Sequence, residues 1–306
     1  VQPWLMVSSG VILLGLMTAL VSGGISRSNK ANTAIVLLTL LGLAALVTTG
    51  LFVNGLPSRP VMDAVTGTSV SSIFYATALM FVAYTGYGRI ATLGEEVSNP
   101  RQTIPRAIIL AMVIIVILYL AVSLTALQIM GAEAFGQTVE GEVAPLMVAA
   151  QTLSVPLIGP IVTIAAVTAM LGVLLNLILG LSRVMLGMAR RRDLPAGLAS
   201  INPENQSPVA AVWMTGLIIG LLVLSGDVVF TWSFSAFTVL IYYALTNLSA
   251  LMMPAELRLY PRWIPASGLA GCLFIAFWID PAIWLGGLGL LVLGLIWHTI
   301  ALNIRR

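Results

Sequence analysis

The residues best suited to chemistry form a glycine-interrupted run inside an apolar segment, Phe81–Arg89, which reads FVAYTGYGR. Two glycines one residue apart each cost a helix interior about 1 kcal/mol relative to alanine. In lipid a break costs more, because freed carbonyls and amides have no water to bond. A break is tolerated where it lines a protein cavity, and there carbonyls can accept from an ammonium group or coordinate a cation. The alternative is that Gly86 and Gly88 only permit close helix packing.

The loop after this run, Glu95–Arg106, is a dense set of turn and helix-start signals, EEVSNPRQTIPR. Asn99 precedes a proline and is therefore pushed out of the α region, which ends the preceding helix. Pro105 suits the first turn of the helix that follows. The two glutamates could form an acid/base pair, but adjacent residues on a helix do not face each other. Ion pairing with neighbouring arginines is the favoured interpretation.

The composition shows which kind of elements must position these residues. The 306 residues are 59% hydrophobic and 8% charged, with a mean hydropathy of +1.05. Soluble domains carry roughly 25% charged residues, so a polytopic membrane protein is the class that fits. The single cysteine, Cys272, excludes an intrachain disulfide and a cysteine-rich metal site. The net charge of +3 is spread over short loops, which indicates membrane topology and no nucleic-acid partner.

A membrane span needs about 20 mostly apolar residues, and nine such runs separate at charged or Pro/Gly-rich breaks. The predicted spans are Trp4–Val21, Thr33–Phe52, Ser71–Leu93, Ala107–Met130, Leu157–Met188, Val209–Leu224, Val228–Leu248, Ile264–Ile279 and Pro281–Ile300. The sixth and eighth are short, and the fifth is long enough to extend beyond the bilayer. We therefore predict an all-α integral membrane protein.

Basic residues near span ends favour the cytoplasmic side and so predict the orientation. With the N-terminus outside, all but one of the 14 bases fall on inner loops or inner span ends, and Arg59 is the exception. The outer connection between the fourth and fifth spans carries Glu133, Glu140 and Glu142 and no base. An odd number of spans then places the C-terminus in the cytoplasm, with the cell membrane as the expected location.

Two motifs carry a family resemblance. The run Phe81–Arg106 resembles the signature of the amino acid-polyamine-organocation superfamily, in which F-x-A-aromatic-x-G-aromatic leads into E-E-x-x-N-P and a proline-marked helix start. A second match is Ser182–Arg190, SRVMLGMAR, followed by DLP at 193–195 and SPV at 207–209. Two motifs in the family's order make the match specific, and it covers essentially the whole chain. The segment Ala91–Val97 is most similar to the cationic amino acid transporter branch.

This resemblance implies an inverted-repeat (5+5) transporter fold, truncated at the N-terminus, in which the nine spans correspond to the fourth through twelfth of a twelve-span member. Residues 1–56 would hold the last two helices of the first repeat, 70–250 the complete second repeat and 263–302 two additional helices, all in one transmembrane domain. The family's broken first helix, whose amides hold the substrate carboxylate, would then be missing. We expect the 306-residue chain alone to transport poorly.

The resemblance also implies a substrate site. The positions that match the family's contacts to the substrate amino group, chiefly through main-chain carbonyls, are Val82, Ala83, Tyr84 and Thr85, with Gly86 forming the break. In the fifth span, Asn176 and Leu177 match positions that face the substrate side chain in family members.

Energy coupling is less defined by the sequence. Some family members carry a lysine in the fifth family helix as a proton-responsive stand-in for sodium, and Thr39 matches that position here. Gly88 stands where many relatives carry an acid. No Asp, Glu, Lys or His lies at the middle of the first eight spans, and His298, late in the ninth, is more typical of helix packing than of a ligand. Exchange, coupling through the missing helices and a cation site of carbonyls and hydroxyls all stay open.

The expected function is a permease that moves amino acids or related amines across the membrane by alternating access. Its partners would be the small-molecule substrate, a coupling proton or sodium ion or an exchanged solute, and membrane lipids, and no cofactor or metal is expected. A membrane enzyme would need a convergent nucleophile, metal set or acid/base pair, and the acids here lie in loops or at span ends. A non-transporting sensor or assembly subunit on the same scaffold is the alternative.

Overall fold

The computed structural model describes residues 3–55, 68–88, 97–140, 144–224 and 228–304. Regular structure in these ranges is helical, as the sequence predicts. The α-helices are α1 (Pro3–Ser22), α2 (Ile25–Asn54), α3 (Val70–Phe81), α4 (Pro100–Met130), α5 (Ala132–Glu140), α6 (Pro145–Thr152), α7 (Ile158–Arg190), α8 (Val209–Val223), α9 (Val228–Met252), α10 (Trp263–Ala276) and α11 (Pro281–Ile304). Short 3₁₀ segments lie at Val82–Tyr84, Ala196–Ala199 and Ala255–Leu257.

Several of these helices have the length and surface of membrane spans. Among the described residues, four stretches are long and apolar enough to cross a bilayer, namely Lys30–Asn54, Pro100–Met130, Ile158–Arg190 and Thr231–Met252. Parts of α1, α3, α8, α10 and α11 form shorter apolar helices. On α4 the side chains of Ile109, Leu110 and Ile117 are each more than half exposed. Apolar surface on this scale is stable in lipid and unfavourable in water, so the chain is an integral membrane protein.

The fourth predicted span begins earlier than expected. Helix α4 starts at Pro100, so Pro105 lies inside the helix and not in its first turn, which corrects the prediction. Pro100 takes the first helical position, where proline is favoured because the N–H of that residue has no acceptor within the helix. Asn99 precedes it in the left-handed conformation, with φ of 50°. The connection after α4 contains helices α5 and α6, which the sequence pattern did not predict.

Some predicted features fall outside the described residues. They are Arg59, Arg89, Glu95, Glu96 and Glu142, together with the side chains of Glu140 and His298. The predicted inverted repeat, and its division at 1–56, 70–250 and 263–302, stay predictions.

The helices form two compact units, of which the first contains α1, α2 and α4 to α8. Its centre is the antiparallel pair of α2 and α7, in which Gly42 on α2 faces Ala165 on α7, whereas the earlier residue Ile35 on α2 faces the later residue Gly172 on α7. A Cβ at Gly42 would overlap the Cβ of Ala165, and one at Gly172 would lie 2.7 Å from the Cγ2 of Ile35. Small residues at these positions bring the two backbones together, as in other membrane helix pairs.

The second unit contains α3, α9, α10 and α11. Its apolar core is centred on α9, whose Phe237, Leu240 and Tyr243 are buried against residues of the other three helices. Gly268 on α10 faces the side-chain amide of Asn247 on α9, and a Cβ there would lie 2.5 Å from the Asn247 oxygen. Helix α9 is therefore the element against which α3 is positioned.

Candidate functional site

The third predicted span is interrupted where its glycines predict a break. Helix α3 ends at Phe81 after 12 residues, which is about 18 Å of helix and too short for a hydrocarbon core of about 30 Å. The chain continues as a single 3₁₀ turn, Val82–Tyr84. Thr85 is then extended, with φ of −91° and ψ of 173°, and Gly86 has φ of +104°. The α-helix is therefore interrupted at residues 82–86, which favours a break over close helix packing as the reason for the two glycines.

The hydrogen-bond pattern shows how the α-helical ladder stops. The amide of Thr85 donates to the carbonyl of Val82, three residues back, at 3.1 Å. The amide of Gly86 would reach Val82 in a continuous α-helix, but it donates instead to the hydroxyl oxygen of Tyr243 at 3.4 Å. The backbone at this point is therefore held partly by a side chain from another helix.

The predicted contacts to a substrate amino group, Val82, Ala83, Tyr84 and Thr85, are contiguous in this break together with Gly86. All five residues are half-buried. The Val82 carbonyl accepts two hydrogen bonds from Thr85, one from its amide and one from its hydroxyl at 2.7 Å. Since both lone-pair directions of that oxygen are then engaged, a ligand ammonium would have to displace the Thr85 hydroxyl to reach it.

Aromatic side chains surround the break within the same unit. The ring of Tyr243 lies edge-on to Phe81 with centroids 5.8 Å apart, and 5.1 Å from the rings of both Tyr87 and Tyr242. Such offset and edge-on pairs are favourable. The indole nitrogen of Trp232 donates to the carbonyl of Leu79 at 3.2 Å, near the C-terminus of α3.

Sequence reasoning missed Tyr243 and Trp232. Only their residue type could have suggested a role, because tyrosine and tryptophan carry a polar group that finds a hydrogen-bond partner when it is buried. Two adjacent tyrosines inside a mostly apolar span, Tyr242 and Tyr243, fit that description. The partner of the Tyr243 hydroxyl, the Gly86 amide, is a tertiary fact with no local signature.

The predicted side-chain contact Asn176 lies in the first unit, where it bonds across α2 and α7. Its amide nitrogen donates to the Gly172 carbonyl at 2.8 Å and to the side-chain oxygen of Asn32 at 2.7 Å. The Gly172 carbonyl can only accept, so the amide nitrogen of Asn176 must point toward it. The same nitrogen also faces Asn32, which must therefore present its side-chain oxygen. Leu177 is half-buried and, as the next residue on the helix, points in a different direction from Asn176.

Thr39, the predicted coupling-ion position, also lies on the interface of α2 and α7. Its hydroxyl is 3.4 Å from that of Thr168. Both hydroxyls lie within hydrogen-bonding distance of carbonyls of their own helices, Thr39 of Ile35 and Thr168 of Ile164 and Ala165. When each single hydroxyl hydrogen is donated to its own helix, the two oxygens are left as acceptors facing each other. The described part of the chain holds no group of three His, Cys, Asp or Glu side chains that could bind a metal.

Comparisons with known proteins agree with the motifs. A family model described as "Amino acid permease" matches residues 1–301. An uncharacterized transporter of Mycobacterium tuberculosis is 37% identical over 87% of this chain and 60% of its own length. The branched-chain amino acid permease BcaP of Bacillus subtilis is 29% identical over 69% of this chain and 44% of its own length. A vacuolar cationic amino acid transporter of Arabidopsis thaliana is 27% identical over 71% of this chain and 34% of its own length.

Proposed function

This chain belongs to the amino acid permease family, and from that premise we propose that it forms part of a secondary active transporter that moves amino acids or related amines across a membrane. The chain spans about 60% of the length of the first relatives that it matches. The observation that carries the proposal is the interruption of the helix at Val82–Gly86 in an otherwise apolar segment. Irregular backbone at membrane depth is stable where it lines a cavity or is buried in protein.

The substrate amino group is proposed to bind at this break. An ammonium group donates three hydrogen bonds, and backbone carbonyls at an unwound turn are acceptors that do not titrate. The positions proposed to provide them are Val82, Ala83, Tyr84 and Thr85, with the Val82 carbonyl accepting from the substrate once the Thr85 hydroxyl turns away from it. The names of the relatives, branched-chain and cationic amino acid transporters, favour amino acids as the substrate class. Roles for Asn176 and Leu177 in contacting the substrate side chain stay predictions.

Coupling is proposed to involve a cation near Thr39. In the first unit the hydroxyl oxygens of Thr39 and Thr168 lie 3.4 Å apart, and either hydroxyl could donate to the other. When each donates to its own helix instead, both oxygens can accept, and hard oxygen ligands of this kind suit a small cation such as sodium. Exchange of one substrate for another is the second possibility for this step. Sodium-coupled uptake depends on a sodium gradient and exchange depends on internal substrate, so uptake measured with and without each of them distinguishes the two.

Uptake of radiolabelled amino acids into proteoliposomes tests the proposed function. We expect saturable uptake of leucine, valine, arginine or lysine by the transport-competent form, meaning this chain alone or together with any segment that its gene encodes upstream. Competition by unlabelled substrate and empty liposomes are the controls. Saturable binding without uptake would favour the alternative, a non-transporting sensor or assembly subunit, and the absence of both would contradict the proposal.

The proposed topology has nine spans, with the N-terminus outside and the C-terminus in the cytoplasm of the cell. The charge pattern supports it, because bases concentrate on one side of the predicted spans. Glu133, on α5, and Arg191, after α7, are both exposed and lie on opposite sides in this topology. In a Cys272→Ser background, Glu133→Cys should react with a membrane-impermeant maleimide in intact cells, and Arg191→Cys only after permeabilisation. The reverse pattern would refute the topology.

A further inference from the structure

The interrupted segment after α3 is contacted on both sides by one continuous helix. Before the break, the Trp232 indole of α9 donates to the carbonyl of Leu79. After it, the Tyr243 hydroxyl of α9 accepts from the amide of Gly86. Between these two contacts lie the 3₁₀ turn and the extended residue Thr85.

The spacing on α9 makes these contacts possible. Trp232 and Tyr243 are 11 residues apart, which is close to three full helical turns, so both side chains lie on the same face of the helix. The rise along the axis between them is about 16 Å. Helix α9 is unbroken from Val228 to Met252, so the distance between the two contacts is held by a regular hydrogen-bonded ladder that the α3 segment lacks.

Burial separates Tyr243 from its neighbour. Tyr243 is 6% exposed and packs against Phe81 and Tyr87, on either side of the interruption, whereas Tyr242 is 55% exposed. Gly88 lies beside the same hydroxyls, and a Cβ there would lie 3.5 Å from the Tyr242 oxygen and 3.7 Å from the Tyr243 oxygen. The Tyr243 hydroxyl thus lies close to the backbone at both Gly86 and Gly88.

We infer that α9 acts as a splint, meaning a regular helix that contacts the chain on both sides of the break and holds it in place. In this arrangement Tyr243 is a positioning residue that fixes the backbone of Thr85–Gly88 in the conformation that binds substrate. The inference rests on the proposed function for its consequence on substrate affinity. Its structural part stands on the Gly86 and Leu79 contacts alone. Without the Tyr243 acceptor, residues 85–88 would populate other conformations. The apparent dissociation constant for substrate equals the intrinsic one divided by the fraction of molecules in the binding conformation, so it would rise as that fraction falls.

The matched variants are Tyr243→Phe, which removes only the buried hydroxyl, and Tyr242→Phe, which removes the more exposed hydroxyl one residue away. Hydrogen–deuterium exchange of the peptide that covers residues 82–88 should accelerate at least fivefold in Tyr243→Phe and stay within twofold in Tyr242→Phe. Trp232→Phe, which removes the donor to Leu79 and keeps an aromatic ring, should accelerate exchange near the C-terminus of α3. Exchange in α10 and α11 should be unchanged in all three variants.

In the transport-competent form, Tyr243→Phe should raise the substrate dissociation constant about five- to tenfold, with the maximal uptake rate within about twofold of the parent. Unchanged exchange at residues 82–88 in Tyr243→Phe would overturn the splint, and so would equal acceleration in Tyr242→Phe or acceleration spread over the whole second unit. Hydrogen–deuterium exchange tests the splint even if no amino acid binds to the protein. A failure of every tested amino acid to bind would contradict the proposed function and leave the exchange result valid.

Discussion

In the transport-competent form, replacing Gly86 with valine should abolish the proposed amino acid uptake while the protein still inserts into the membrane and purifies as a monodisperse species. Gly86 has φ of +104°, a conformation that residues with a Cβ rarely adopt. Forcing a non-glycine residue into such a region costs on the order of 1–3 kcal/mol, and more for a β-branched side chain. The segment would therefore relax to another backbone conformation, and the proposed carbonyl acceptors at residues 82–85 would be reoriented.

Gly88 provides the matched control for Gly86. Its φ is outside the left-handed range, and an alanine Cβ at Gly88 would make ordinary van der Waals contacts of 3.5 Å and longer. We expect Gly88→Ala to keep the substrate dissociation constant within about threefold of the parent and Gly86→Ala to raise it at least tenfold, as a loss of about 1.4 kcal/mol or more implies. Scintillation proximity binding measures both. Equal effects at the two positions would show that backbone conformation at Gly86 is not what the site requires.

The second large effect is expected at the interface of α2 and α7, where Gly42→Leu should prevent recovery of folded protein. Even the single methyl of Gly42→Ala would overlap the Cβ of Ala165, and the Ile161 carbonyl lies 3.4 Å from the same point. A Cβ and a backbone carbonyl cannot rotate away, so the two helices must separate. Overpacking of this kind typically costs about 1–3 kcal/mol, partly offset by the helix propensity that alanine gains over glycine.

A size swap tests this explanation directly. The double variant Gly42→Ala with Ala165→Gly moves one methyl across the interface, so it should recover most of the thermal stability that Gly42→Ala loses in detergent. Gly15→Ala is the control, because a Cβ there meets nothing within 4 Å, and its stability should be unchanged or slightly higher. Size-exclusion recovery after heating reports all of these variants. If the swap were no more stable than Gly42→Ala alone, close contact at this pair would not be the cause.

The sequence by itself determined the class of the protein and the position of its unusual segment. Apolar runs of about 20 residues form helices in lipid because every backbone group must be bonded within its own segment, and this requirement is local. The break near Gly86 was also indicated, because the low helix stability of glycine and its tolerance of positive φ are properties of single residues. The motifs at Phe81–Arg106 and Ser182–Arg190 led to the family that the comparisons confirm.

The end of a helix was less well predicted than its existence. Helix α3 stops at Phe81, five residues before the glycine that marks the break, and α4 starts at Pro100, ahead of the predicted boundary. Boundaries depend on which backbone groups find partners outside the helix. For Gly86 that partner is a hydroxyl 157 residues away in the sequence.

Only the tertiary structure decided which side chains hold the candidate site. In the sequence, Tyr243 and Trp232 are aromatic residues of a predicted span with no assigned role. Asn32 likewise has no role in the sequence, and only the structure brings it within hydrogen-bonding distance of Asn176. Their roles come from the register of α9 along α3 and of α2 along α7. At α2 and α7 the small residues Gly42 and Ala165 allow the close contact of the two helices. Hydrophobicity and helix propensity act over one or two turns, whereas register depends on the shapes of two surfaces far apart in the chain, so no local pattern could specify it.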